Sequence, residues 1–297
     1  MKKYLCMAMA AAMAMGLAAC GGSAASDTKT TEKATEAAGE QNEAATDAAE
    51  AAPAGDADAA YTTIKEGVLM VGTEIGYPPM EYFDTDGATP IGFDMELAQA
   101  LADEMGLTLE IVDTAWDGIF AGVETGKYDV ILSSVSWTEG RNEEHNLSKT
   151  YVANAPVLVV PKGSDIKDIA DTDGKKVAVQ METTADYQMQ KQQAAGVNCD
   201  LRQYEKVINC FDEIKAGRVD AVCTDSVVAA YYLGEDIDSY ETVWTADEKE
   251  PICMCLAKGN DALQAAMEEA LDALRANGKL GEISVKYFGS EDPVNNL

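Results

Sequence analysis

The sequence predicts an α/β fold with two lobes and a ligand cleft between them. From position 61 onward, apolar runs of strand length alternate with amphipathic segments of helix length, which is typical of α/β architecture. The alternation occurs in two successive units, so we expect two lobes. The two units show no detectable sequence repeat. The length of 297 residues allows two medium domains, and 47% hydrophobic residues suffice for a sizeable core.

The first unit is predicted to contain, in chain order, a strand, a loop, a helix, a strand, a helix and a strand. Asp94 is expected to cap the first helix, which carries apolar residues at every fourth position and ends at Gly106. Gly126 closes the second helix. The predicted strands are 67–72, 107–112 and 128–132, the loop is 73–79, and the second helix is 116–124.

The second unit contains further strands and helices of the same kind, and a long amphipathic helix follows it. That helix, 261–276, has an apolar stripe of Leu263, Met267, Leu271 and Leu274. The predicted strands are 156–160, 176–181, 218–224 and 251–256, and the other helices are 184–195, 207–215, 226–233 and 280–288. Clefts between two such lobes are a common place for ligands.

The N-terminal sixty residues differ in composition from the rest. Residues 1–19 have two Lys followed by an apolar, Ala-rich run, as in a secretion signal. Their end and Cys20 resemble the lipobox of bacterial lipoproteins, so we expect a lipidated Cys20 that anchors an exported protein to a bacterial membrane. Residues 21–60 lack large apolar side chains and predict a disordered acidic tether.

The net charge and the few histidine and cysteine residues argue against several classes of protein. The formal net charge of −30 argues against nucleic acid or an anionic membrane surface as a partner. Because His145 is the single histidine, we expect no metal site, no cofactor and no Ser-His mechanism. The five Cys beyond position 20 fit no zinc pattern, and we expect buried free thiols, with one disulfide as the alternative.

The stretch SSVSWTEGR, residues 133–141, follows the predicted strand 128–132. Ligands of open α/β sheets bind at such strand ends. The hydroxyls of Ser134 and Ser136 and the guanidinium of Arg141 together suit a carboxylate. By itself, however, the stretch fits a polar surface turn better than a binding site, because short motifs often match by chance.

Six motifs resemble one known family. They are GTEIGYPPMEY (72–82), IGFDMELAQALADEMG (91–106), WDGIFAGVETGKYDVILSSVSWTEGR (116–141), KKVAVQMETTAD (175–186), AGRVDAVCTD (216–225) and GKLGEISVKYFG (278–289). In this order they resemble the polar amino-acid binding proteins of ABC importers, solute-binding protein family 3. The resemblance implies a type II periplasmic-binding-protein fold with two hinge crossovers. Lobe 1 would comprise 61–154 plus 250–297, and lobe 2 would comprise 155–249.

The resemblance also implies how the α-amino-acid group is held. Arg141, with Ser134 and Ser136, matches the positions that bind the ligand carboxylate, and Asp225 matches the residue that binds the ammonium. Thr183 and Thr184 match positions that add donors to the carboxylate. Asp225, Thr183 and Thr184 could equally cap helices, and for Asp225 both roles are compatible.

Ligand choice would depend on Glu74, Tyr77 and Trp116. The two aromatic residues match positions that enclose the ligand side chain, and Glu74 matches an acid that meets a distal amine. We therefore expect Lys, Arg, ornithine or His as ligand, with glutamine and cystine as alternatives. Met80 and Glu182 depart from the usual Phe and Gly of the family.

The resemblance implies a binding protein without catalytic activity. We expect a monomer that delivers a free L-amino acid to an ABC permease. The same fold also hosts exported dehydratases, which leaves an enzyme as the second possibility. In that case Glu74 or Asp225 would be the general acid or base.

Overall fold

A computed structural model describes residues 61–297 and contains two five-stranded β-sheets. The first sheet consists, in spatial order, of β4 (Thr108–Asp113), β1 (Val68–Thr73), β5 (Val130–Ile131), β12 (Ile252–Leu256) and β6 (Asn146–Val152). β1 pairs in parallel with β4 and β5, whereas β12 is antiparallel to β5 and β6. The predicted signal segment, the lipidated Cys20 and the tether lie outside the described residues.

The second sheet has the same number of strands. It consists, in spatial order, of β11 (Tyr240–Thr245), β7 (Pro156–Pro161), β10 (Ala221–Asp225), β8 (Lys176–Gln180) and β9 (Asp200–Tyr204). β8 pairs in parallel with β9 and β10, and β7 is antiparallel to β10 and β11. A small hairpin of β2 (Tyr82–Phe83) and β3 (Pro90–Ile91) follows β1.

Helices connect and cover the strands. They are α1 (Phe93–Glu104), α2 (Trp116–Glu124), α3 (Glu139–Glu144), α4 (Thr184–Ala194), α5 (Val207–Lys215), α6 (Ser226–Glu235), α7 (Asp261–Ala276), α8 (Lys279–Phe288) and α9 (Asp292–Asn295). α2, α5 and α7 have the limits that the sequence predicted, and α7 buries the predicted stripe. Within residues 61–297, none of the helices is both long and apolar enough to cross a membrane.

The chain passes between the two sheets twice. Residues 153–155 connect β6 to β7, and residues 246–251 connect β11 to β12. All strands of the second sheet therefore lie between these connections, and those of the first sheet lie outside them. The two-lobed α/β fold class with two crossovers is confirmed. The predicted lobe limits, 154/155 and 249/250, fall in the two connections.

Several local predictions differ from the structure. α1 begins after Gly92, and Asp94 makes no capping bond because its side chain points into the protein. The predicted strands 128–132 and 218–224 are reduced to β5 and to β10, which starts at Ala221. β6, β9 and β11 were not predicted, since their polar residues hide the apolar pattern on which a strand prediction depends.

All five cysteines in the described part of the chain are buried and free. Cys253 and Cys255 both belong to the cluster formed with Trp116 and Ile119, as expected for positions two apart on a strand. Cys210 and Cys223 are also fully buried. Burial raises the pKa of Cys255 to about 12, so this thiol stays protonated. The thiols therefore act as small apolar core groups.

Candidate functional site

The two sheets face each other across a small cavity. Side chains enter it from the carboxyl ends of β1, β5, β8 and β10 and from the loops and helices that follow. All nine residues predicted to bind ligand line the cavity: Glu74, Tyr77, Trp116, Ser134, Ser136, Arg141, Thr183, Thr184 and Asp225. Three further lining residues, Glu81, Ser133 and Gln180, were not predicted to bind ligand.

Arg141 is the one cationic residue among the described residues that line the cavity. It lies on α3, whose N-cap Thr138 accepts a hydrogen bond from the Arg141 backbone N–H. The guanidinium lies 5.6 Å from the Trp116 ring centroid and 5.2 Å from that of Phe120. Its Nη1 donates to the Ser136 carbonyl oxygen at 3.0 Å. The guanidinium therefore packs between a backbone carbonyl and two aromatic side chains.

The guanidinium of Arg141 retains unused donors. It forms no ion pair with any residue in 61–297. Burial lowers the pKa of Arg141, although arginine remains a cation under all ordinary conditions. A half-buried cation without a counter-charge is costly, so the site is suited to an anionic group.

Asp225 ends β10 on the opposite side of the cavity and is almost fully buried. Its carboxylate accepts from the Tyr77 hydroxyl at 2.8 Å and from Asn154 Nδ2 at 2.7 Å. The side chain makes no cap bond to α6, because its two oxygens are directed to Tyr77 and Asn154. Burial raises the pKa of Asp225, while these hydrogen bonds and Arg141 oppose the rise.

Thr183 and Thr184 lie at the start of α4. The Thr183 hydroxyl accepts from the Asp186 N–H at 3.3 Å and donates to the Gln180 carbonyl oxygen at 2.8 Å. Its one proton is therefore engaged, and Thr183 caps the helix. Backbone N–H groups of the first helical turn, which have no partner inside a helix, are the donors that this end of the cavity offers.

Glu74 and Gln180 form the acidic end of the cavity. Glu74 accepts from Gln180 Nε2 at 2.7 Å, and the same Nε2 donates to the Glu205 carbonyl oxygen at 3.0 Å. Gln180 Oε1 is buried and has no partner within the described residues. Burial raises the pKa of Glu74, and Gln180 and Lys206 oppose this rise. This end of the cavity therefore offers hydrogen-bond acceptors.

Tyr77 and Trp116 combine two roles that the sequence could not separate. Both are buried members of hydrophobic clusters, as ordinary core aromatics would be, and both also line the cavity. The indole N–H of Trp116 donates to the Glu182 carbonyl oxygen at 3.2 Å. Glu182 adopts a φ of 62°, a left-handed conformation that favours glycine, and is exposed to solvent.

Four hydrogen bonds cross the cleft and directly link the side that belongs to the first sheet with the side that belongs to the second. They are Tyr77 to Asp225, Gln180 to Glu74, Trp116 to Glu182, and Lys206 Nζ to the Ile75 carbonyl oxygen at 3.0 Å. The cleft is therefore closed in this structure.

Sequence reasoning missed the roles of Glu81, Ser133 and Gln180. Gln180 carries a usable signal, because it is a polar residue at the carboxyl end of an otherwise apolar strand interior, VAVQ. Glu81 and Ser133 could not be assigned in this way, since their partners lie about fifty residues away in the chain.

A family model described as "Bacterial extracellular solute-binding proteins, family 3" matches residues 69–290. The L-cystine-binding protein TcyJ of Escherichia coli K12 is 30% identical over 231 residues, which cover 77% of this chain and 85% of that protein.

Two solved structures are similar. An ancestral arginine-binding protein bound to arginine has a TM-score of 0.71 and 34% identity, covering 75% of this chain and 99% of its own. The ancestral amino acid-binding protein AncCDT-1, a precursor of cyclohexadienyl dehydratase, has a TM-score of 0.69 and 32% identity, covering 75% of this chain and 96% of its own.

Proposed function

This chain belongs to family 3 of the bacterial extracellular solute-binding proteins, and from that premise we propose that it binds a basic L-amino acid. The amino acid would occupy the closed cleft and be delivered to an ABC permease. The observation that carries the proposal is the placement of Arg141 and Asp225 on opposite sides of one buried cavity. An α-amino acid presents a carboxylate and an ammonium on one carbon, and a cation and an anion on facing walls match that pair.

Arg141 would bind the carboxylate, with the N-terminal N–H groups of α4 as additional donors. Asp225 would bind the ammonium, because its two present partners, Tyr77 and Asn154, leave lone pairs on the carboxylate unused. Both interactions gain strength from the exclusion of water when the cleft closes. We expect a dissociation constant of about 1 μM or lower, which corresponds to about −8 kcal/mol.

A basic side chain is favoured by the charge of the cavity. Arg141 is balanced by the ligand carboxylate and Asp225 by the ligand ammonium. Glu74 forms no ion pair within residues 61–297, although the charge of Lys206 acts on it. A distal ammonium or guanidinium would give Glu74 a direct counter-charge, and the unused Gln180 Oε1 adds an acceptor for it. Cystine, the ligand named for the E. coli relative, would bring a second ammonium and a second carboxylate together, which adds no net positive charge beside Glu74.

A thermal-shift screen of the twenty amino acids, ornithine and cystine would test the proposal. The largest increases in melting temperature are expected for lysine, arginine or ornithine, because a ligand that binds only the folded state stabilises it. Calorimetry would then give the affinities. A largest shift with cystine would overturn the preference for basic ligands, and no shift with any compound would overturn the proposed function.

Replacing Glu74 by glutamine is expected to weaken a basic ligand by about tenfold or more, because the distal cation loses its counter-charge. The affinity for glutamine should change by less than about threefold, since a neutral amide can hydrogen-bond to either side chain. Calorimetry with both ligands measures the difference. The exposed Glu143→Gln variant is the matched control. Equal losses for both ligands would contradict the role of Glu74.

We propose that binding and closure are coupled. The ligand would dock on lobe 1, and lobe 2 would rotate about residues 153–155 and 245–251, since Asp225 meets its partners across the cleft only when it is closed. Lipidation of Cys20 and the acidic tether would hold the monomeric domain at the outer face of a bacterial membrane.

The second candidate function is that of an exported dehydratase, which the relation of AncCDT-1 to such an enzyme suggests. Glu74 and Asp225 are both buried carboxyl groups with raised pKa values, as a general acid or base requires. We expect no conversion, because Glu74 and Asp225 are each engaged in holding a charged group. Mass spectrometry of ligand recovered after prolonged incubation separates the two functions, since an enzyme would release a dehydrated product.

A further inference from the structure

Glu81 and Asp94 are two buried carboxyl groups with no cationic partner. Glu81 lines the cavity wall, and Asp94 lies behind it on α1; their exposed fractions are 1% and 0%. Among residues 61–297, neither group forms an ion pair with a lysine or an arginine. Buried carboxylates are normally paired with cations, so this pair requires another explanation.

Neutral donors occupy all four carboxyl oxygens. The hydroxyls of Ser133 and Ser134 donate to the two oxygens of Glu81 at 3.2 and 3.4 Å. The Ser134 N–H and the Tyr151 hydroxyl donate to the two oxygens of Asp94 at 2.9 and 2.8 Å. Four neutral donors can stabilise one buried negative charge, but two adjacent negative charges would still repel each other.

A single proton between the two carboxyl groups removes that repulsion. Glu81 and Asp94 are neighbours, because the hydroxyl of Ser134 donates to Glu81 and the N–H of the same residue donates to Asp94. A proton held between the two carboxyl groups would remove one of the two charges. Burial and the charge of Asp94 raise the pKa of Glu81 well above its usual range. Burial raises the pKa of Asp94 to about 6. Both shifts favour a pair that retains one proton.

The pair controls the direction of the hydroxyl groups that face the cavity. The Ser133 hydroxyl accepts from the Glu74 N–H at 2.9 Å, and its own proton points to Glu81. The Ser134 proton also points to Glu81, so this hydroxyl turns its lone pairs toward the remaining space. Ser134 has a φ of 52°, an uncommon conformation for a residue other than glycine, and the bond from its N–H to Asp94 stabilises it.

We propose that Glu81 and Asp94 form a proton-sharing carboxyl pair and are positioning residues for the ligand. By fixing Ser133, Ser134 and the backbone of Glu74, the pair sets which atoms of the cavity accept and which donate hydrogen bonds. This inference rests on the proposed function for its effect on ligand affinity. The shared proton itself does not depend on which ligand binds.

Two near-isosteric substitutions test the positioning role. In Glu81→Gln the amide N–H can donate to Asp94, but one amide oxygen replaces two carboxyl oxygens, which leaves either the Ser133 or the Ser134 hydroxyl without its acceptor. In Asp94→Asn one acceptor is likewise lost, which leaves either the Ser134 N–H or the Tyr151 hydroxyl unpaired. The affinity should fall by about tenfold or more in both variants.

Calorimetry with the amino acid found in the ligand screen measures both affinities, and thermal unfolding without ligand checks that both variants fold. Unchanged affinity in either folded variant would overturn the positioning role. If Asp94→Asn fails to fold, Ser134→Ala replaces it; removal of the oriented hydroxyl should also weaken binding by about tenfold, and unchanged affinity would overturn the role.

Infrared spectroscopy tests the shared proton without any ligand. At neutral pH the wild-type protein should show the C=O stretch of a protonated side-chain carboxyl group that is absent from the Glu81→Gln spectrum. An identical carboxyl region in the two spectra would overturn the proton-sharing pair. Because this readout needs no bound amino acid, failure of the pair and failure of the proposed function can be told apart.

Discussion

Replacing Arg141 by alanine is expected to raise the dissociation constant of the amino acid by about 10² to 10³-fold. Removal of the cation leaves the ligand carboxylate buried without a counter-charge, and loss of one partner of a buried pair costs about 3 to 5 kcal/mol. Arg141→Lys should recover only part of the affinity, because an ammonium lacks the planar fork of donors. Isothermal calorimetry with the amino acid found in the screen measures both variants.

Arg218→Ala is the matched control for this change. Arg218 is exposed and pairs with Glu213 on the surface of the second sheet's lobe, so its removal should leave binding unaltered. Thermal unfolding in the absence of ligand checks that Arg141→Ala still folds, since the guanidinium also packs on Trp116 and Phe120. Wild-type affinity in a folded Arg141→Ala variant would be incompatible with the proposed carboxylate site.

Replacing Asp225 by asparagine is expected to weaken binding by about 10 to 100-fold. The substitution keeps the size of the side chain but removes the charge that faces the ligand ammonium. The loss should occur with every amino acid that binds, whatever its side chain. It should disappear for an analogue that lacks the α-ammonium, because such a compound has no group for Asp225 to hold.

Competition calorimetry with the amino acid and its deaminated analogue measures this dependence. Asp238→Asn, at a fully exposed position, is the control for the change of one charge. If Asp225→Asn weakened the deaminated analogue as strongly as the amino acid, Asp225 would act through the structure of the cleft. Its hydrogen bonds to Tyr77 and Asn154 would then be the cause.

Local sequence patterns predicted the helices whose limits depend on residues close to one another in the chain. The limits of α2, α5 and α7 follow from apolar residues at helical spacing and from the glycines that end the segments. β6, with the sequence NLSKTYV, escaped prediction because its pairing with β12 connects residues about one hundred positions apart. Long-range pairing of this kind leaves no periodic trace in a polar strand.

For the cavity, too, short motifs were informative and contacts between distant residues were not. The family motifs located nine of its lining residues, since each motif is a short stretch with a fixed relation to a strand end. They could not reveal that Asp94, which has the sequence context of a helix cap, instead accepts from Ser134 and Tyr151. Nor could they reveal the contact of Gln180 with Glu74. Such contacts depend on how the two lobes meet.

The four hydrogen bonds that join the sides of the cleft also affect how strictly closure depends on a bound ligand. Each of them lowers the free energy of the closed state without any contribution from an amino acid. The apparent affinity for any ligand therefore scales with the fraction of free molecules that are already closed. A permease that recognises only closed molecules would meet a background of empty ones, and the strength of these four bonds sets the size of that background.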